Sequence, residues 1–72
     1  MVHNGWYIDR VRDYRGGWRV TRQVRPGDVA GWEGLYRGPD GRTRILSGCW
    51  EQVADEATRY ASEEEARAAA MA

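Results

Sequence analysis

The sequence predicts an α+β domain: a twisted antiparallel β-meander of three to five strands with a C-terminal α-helix packed on one face. Three observations predict it. Strand-length segments of alternating polar and apolar residues recur between turns rich in Gly, Pro and Asp. Four Trp and four Tyr, with no Phe, supply bulky side chains that are apolar in body and polar at the tip. The last stretch opens with Ser62 and Glu65 at capping-box spacing and continues into Ala-rich sequence.

The elements follow in order. Residues 6–14 read as a first strand, with Trp6, Ile8 and Tyr14 alternating against Tyr7, Asp9 and Asp13. Arg15-Gly16-Gly17 turns the chain into a second strand at 18–24. There Trp18, Val20 and Val24 share one face, interrupted by Arg22. Arg19, Thr21, Gln23 and Arg25 share the other, which predicts a sheet with one wet face. Pro26-Gly27-Asp28 ends that strand, and a third runs over 32–37. Gly38-Pro39-Asp40-Gly41 is a strong turn signal, returning the chain as a fourth strand at 42–48.

Residues 49–61 are ambiguous between helix and strand. Trp50, Val53, Ala54 and Ala57 fall at i, i+3, i+4 and i+7, which favours a short helix or turn at 50–55. Ala57-Thr58-Arg59-Tyr60-Ala61 then reads as a short edge strand. The final helix is expected at 63–71, capped by Ser62, with Glu63, Glu64 and Glu65 where the helix dipole favours negative charge. A helix this short does not persist alone, so it must dock, and Tyr60 and Trp50 are its expected seat.

With 72 residues, the chain makes one domain spanning 1–72. A domain of this size buries only about 60% of the surface its unfolded chain exposes. Such a domain usually needs a staple. Cys49 is the sole cysteine and His3 the sole histidine, so neither an internal disulfide nor a metal centre is expected. A second copy of the chain is another staple, and the thin core, the surplus of rings and an edge strand at 57–61 all favour a homodimer.

The absence of a long apolar run excludes a membrane helix. The opening Met1–Gly5 lacks a basic and apolar leader, so a cytoplasmic protein is expected. Net charge is zero but unevenly placed: residues 1–44 carry nine Arg against five acids, and residues 45–72 carry two Arg against six. Every basic residue is Arg.

No residue set suggests catalysis or a cofactor. Cys49 and His3, the only pair resembling nucleophile and base, sit at opposite ends of the expected sheet. Asp9 and Asp13 are interleaved with Arg10 and Arg12, which hold them ionised, whereas general acid chemistry needs a raised pKa. No glycine run matches a phosphate loop. The candidate binding residues are Arg19, Arg22, Arg25, Trp32, Tyr36, Arg42 and Arg44, an arginine and aromatic set carried by the sheet and its turns. Tyr, Trp and Arg dominate protein interfaces, so a protein partner is the first expectation. The same set can contact phosphates and stack on bases, so nucleic-acid binding is the alternative.

Two resemblances bear on these expectations. The run Trp50 … Ala57-Thr58-Arg59-Tyr60-Ala61-Ser62-Glu63-Glu64-Glu65-Ala66 resembles the ending of many short proteins of phages and high-GC bacteria. Those end in a Trp, then Ala-x-Arg-Phe/Tyr-x-Ser/Thr, two acids and an Ala-rich helix. The resemblance implies that Tyr60 anchors the core, that Ser62 caps the helix, and that the chain comes from a phage or mobile element; with no catalytic set in the sequence, the expectation is a non-enzymatic interaction protein. A host or phage protein complex, such as a defence complex it inhibits, would be the partner. Trp18-Arg19-Val20 and Pro39-Asp40-Gly41 are similar to segments of the arm-type DNA-binding domain of phage-type integrases, which implies a sheet followed by a helix and contact with DNA. This chain has no Lys and no net positive charge.

Overall fold

The structure, a computed structural model, describes residues 2–72; Met1 lies outside them. Among the described residues, β1 (Val2–His3), β2 (Trp6–Arg10), β3 (Trp18–Gln23), β4 (Trp32–Arg37) and β5 (Thr43–Gly48) form one open antiparallel meander in chain order. Two helices follow, α1 (Trp50–Glu56) and α2 (Glu63–Met71). The fold is α+β, as the sequence predicts.

The sheet has no wet face of the expected kind, because each helix takes one side. Ile8 pairs with Val20 and Leu35 with Ile45, and these residues share a face with Trp6. Helix α2 covers that face. Ala66 and Ala70 pack with Trp6, Ile8, Val20, Leu35 and Tyr60 into the core, and Asn4 Nδ2 donates to the Ala70 carbonyl at 3.0 Å. Burying each large apolar side chain there contributes on the order of 1.5–3 kcal/mol.

The opposite face carries Thr21 and Gly34, which pair with each other, and Leu46, which pairs with Gly34. Helix α1 seats on this row, and Val53 and Thr21 are both buried. The small side of Gly34 permits the approach. A Cβ placed there would lie 2.7 Å from Val53 Cγ1 and 3.2 Å from the Ala57 Cβ. Trp50 belongs to this face and does not seat α2 as expected.

The segment expected as an edge strand at 57–61 is not at an edge. Strands β3 and β4 pair only from Thr21↔Gly34 to Gln23↔Trp32. Beyond that they part, and Thr58–Tyr60 lies in the gap. Trp18 and Tyr60 exchange backbone hydrogen bonds at 2.8 Å. Thr58 N–H donates to the Leu35 carbonyl at 3.0 Å, and Arg37 N–H donates to Thr58 Oγ1 at 2.6 Å. The chain thus passes through the sheet from the α1 side to the α2 side. Tyr60 enters the core at 2% exposure, its hydroxyl buried on the side of Thr43. Burial pushes the Tyr60 phenol up, opposed by the charge of Arg37.

Strand β2 also ends earlier than expected, at Arg10 rather than residue 14. Val11 N–H donates to the Gly17 carbonyl at 2.8 Å, and the chain then bends around Asp13. Asp13 Oδ1 accepts from the N–H groups of Arg15 and Gly16, and both its oxygens accept from Arg59, at 2.6 and 2.8 Å. The Arg59 guanidinium, with help from those backbone donors, holds the Asp13 carboxyl at about 2. Strand β1 was not anticipated. Its hairpin to β2 is closed by Asn4 and Gly5, both at positive φ, the arrangement a two-residue primed turn demands.

Helix α2 matches its expected bounds. Glu65 N–H donates to Ser62 Oγ at 3.1 Å, the forward half of the capping box, and Glu65 Oε2 reaches back one residue beyond the N-cap to accept from the Ala61 N–H at 3.2 Å. No helix among the described residues is long and apolar enough to cross a membrane.

Candidate functional site

The seven candidate residues do not form one surface. Alternation along β3 places Arg19 on the α1 face and Arg22 on the α2 face. Trp32, Tyr36 and Arg44 are on the α1 face with Arg19. Arg25 and Arg42 lie just outside the strands.

Three of the arginines are occupied by acids of their own chain. Arg22 pairs with Glu33 at 2.8 Å and stacks over the Trp6 ring at 3.9 Å. Arg25 donates to Asp28 at 3.0 Å and to the Ala30 carbonyl at 3.1 Å. Arg44 grips Asp40 with both terminal nitrogens, at 2.9 Å from Nη1 to Oδ1. That pairing, with the Arg42 N–H, holds the Asp40 carboxyl below the usual carboxylate range. The Arg42 side chain has no ion pair among the described residues. Tyr36 is half-buried and lines a shallow groove with Leu46 and Glu56.

Arg19 and Trp32 meet at one place, and the residue that joins them is Trp50. The Trp32 and Trp50 rings lie 4.7 Å apart between centroids, tilted by 55°. The Arg19 guanidinium lies 5.0 Å from the centre of the Trp50 ring and donates to the Ala54 carbonyl at 3.2 Å. Helix α1 has no basic residue in its last turn, and Arg19 supplies that charge from β3. Burial, and the like charge of Arg59, lower the Arg19 pKa from its ordinary value. Beside the two indoles an open groove of about 290 Å³ is lined by Val29, Trp32, Cys49, Trp50 and Glu51. Val29 is 81% exposed and Trp50 38% exposed.

Each side chain is fixed by a separate element. Trp32 starts β4, Arg19 is the second residue of β3, and Trp50 is the first residue of α1. The Val53 contact with Gly34 locks α1, so the indole pair and its guanidinium are held in place by the fold itself.

Sequence reasoning missed Val29, Cys49, Trp50 and Glu51 as companions of Trp32. The available signal was the Trp50–Val53–Ala57 stripe, which turns Trp50 toward whatever surface Val53 covers. Of the eight rings, only Trp6 and Tyr60 are buried, while Tyr7, Tyr14 and Trp50 are exposed and the remaining three are partly covered. Among the described residues no group of three or more His, Cys, Asp or Glu could hold a metal ion. Comparison with protein-family models, with curated proteins and with solved structures finds no match for the chain.

Proposed function

We propose that the chain is a non-enzymatic interaction protein that binds a protein partner through its α1 face, with Trp32, Trp50 and Arg19 at the centre of the contact. The observation that carries this reading is the preorganised indole pair under a guanidinium, beside an apolar groove edged by exposed Val29. Trp and Arg are the residues that most often dominate binding energy, and rigid placement lowers the entropy lost on association. Glu51 at the groove rim gives the partner a place for a basic group.

A protein partner is favoured over nucleic acid by the charge arrangement. Arg22, Arg25 and Arg44 are neutralised within the chain, and neutral guanidinium–carboxylate pairs release few counterions on meeting phosphate. The likeness of the C-terminal segment to short phage proteins supports a bacterial host protein, a defence complex included, as the partner.

The test is capture from bacterial lysate by the immobilised protein and by its Trp50→Ala and Arg19→Ala variants, each checked for native circular dichroism. A stoichiometric partner is expected with the native protein. Trp50→Ala should weaken its affinity by ~30-fold, as for a hot spot worth about 2 kcal/mol. Capture unaffected by either substitution would overturn the reading, as would a gel shift of nucleic acid at low salt that fades steeply as salt rises.

A further inference from the structure

The free edge of the sheet is β5, and its geometry points to a second copy of this chain as its occupant: we infer a two-fold dimer in which β5 pairs antiparallel with β5 of the partner about Ile45.

The direction of the backbone groups fixes which residues are available. Leu35 C=O and Arg37 N–H are directed toward Thr58, on the β3 side of β4. In an antiparallel strand the N–H and C=O of one residue face the same way, and successive residues alternate. Trp32, Gly34 and Tyr36 therefore face β5 and bond with their partners Gly48, Leu46 and Arg44. The Arg42 carbonyl, which accepts from Gly38 N–H at 2.9 Å, continues that series. Thr43, Ile45 and Ser47 are left with N–H and C=O directed away from the sheet.

A two-fold axis perpendicular to the sheet keeps each face on its own side, so only residues of like parity can pair. With Ile45 opposite its own copy, Thr43 falls opposite Ser47 in both directions. Three residue pairs then exchange two hydrogen bonds each, using every free group between Thr43 and Ser47. Sliding the register by two residues removes one of these pairs.

The side chains agree with this register. On the α2 face, Ile45, which is 51% exposed, meets Ile45 of the other copy, and two hydroxyl pairs flank it. Ile45 also lines the groove of about 280 Å³ that runs past Leu35, Trp6 and Ala69, so the apolar row would continue from one copy into the next. On the α1 face, Arg44 comes opposite Leu46 rather than another arginine, and its charge is already met by Asp40. No like charges are opposed across the axis.

Self-pairing is also favoured over open stacking. The opposite edge is broken: β1 has two residues and covers β2 only at Trp6 and Tyr7, so that side offers no continuous strand of β5's length as a template for a chain of sheets. A contact of β5 with itself closes after two copies. This inference uses a different surface from Trp50 and does not rest on the proposed function.

The test combines sedimentation over a concentration series with residue-resolved amide exchange in the wild-type protein. The expected result is a dimer at high micromolar concentration. On dilution, protection should be lost at the alternate amides of Thr43, Ile45 and Ser47, while those of Arg44, Leu46 and Gly48 stay protected. Ile45→Lys, which opposes two ammonium groups on the axis, should weaken association at least ~10-fold while leaving the monomer folded. A monomer throughout the series would overturn the inference. So would a dimer that Ile45→Lys leaves intact, or one whose formation does not change exchange at Thr43, Ile45 and Ser47.

Discussion

Substituting Gly34 with alanine adds one methyl group beneath α1 and should destabilise the whole domain. The new Cβ would lie 2.7 Å from Val53 Cγ1. Ordinary contact between carbons is about 3.5–4.0 Å, so the helix must retreat by roughly an ångström. The Val20 carbonyl stands 3.5 Å from the same point, already in contact, so the strand has little slack on that side of the methyl. Overpacking of this kind costs about 1–3 kcal/mol. Against it stands a gain of about 0.4–1 kcal/mol, because alanine narrows the unfolded ensemble. The net is a loss of about 1–2 kcal/mol. A domain of this length has about 4–11 kcal/mol in all, so the loss is a sizeable fraction. Thermal unfolding should show a Tm lower by roughly 5–15 °C. Val53→Ala alone should cost about 2 kcal/mol by opening a cavity. The double variant should then fall short of the summed losses by about 1 kcal/mol, since the new methyl fills the space left by valine. A Gly34→Ala protein as stable as the native one, or strictly additive losses, would refute the seating of α1 on this glycine.

Two further outcomes are expected. Asp13 has its folded pKa lowered to about 2 by Arg59, so the stability it contributes is full above its unfolded value near 3.8 and is lost as pH falls toward 2. Asp13→Asn should therefore lower Tm at neutral pH and flatten the decline below pH 4; an unchanged acid limb would exclude the Asp13–Arg59 pair as its source. Ser62→Ala should cost about 1 kcal/mol in urea unfolding by freeing the Glu65 N–H, and Ser62→Asn should restore most of it.

The parts of the fold legible in the sequence are those with local causes. The Gly38–Gly41 turn, the alternation of β3 and the Ser62–Glu65 box each lie within a few residues, and each was placed closely. Residues 11–14 read as strand because Tyr14 continues the alternation begun at Trp6. Tyr14 is 97% exposed, and what shapes that stretch is Arg59, far along the chain. The covered second face escaped notice because Arg19 and Gln23 mark it as polar. The informative residues there were the small ones, Thr21, Gly34 and Gly48, which let a helix lie close. The Asn4-Gly5 pair was a direct hairpin signal, lost beside so short a strand. The candidate site was half legible: Arg19 and Trp32 were named for their chemistry, whereas Trp50 joins them only because α1 folds back over β4.

The passage of Thr58–Tyr60 between β3 and β4 has a consequence for how the domain forms during synthesis. A nascent chain that has emerged only as far as α1 has every strand of the meander available, yet a slot stays open beside Trp18 and Leu35. The core on the α2 side then lacks the one phenol ring that plugs it. Native structure must wait for Tyr60 and then for Ala66 and Ala70 of α2 to clear the ribosome, and an early-stalled translation product would display Trp6, Ile8 and Val20 to chaperones and proteases.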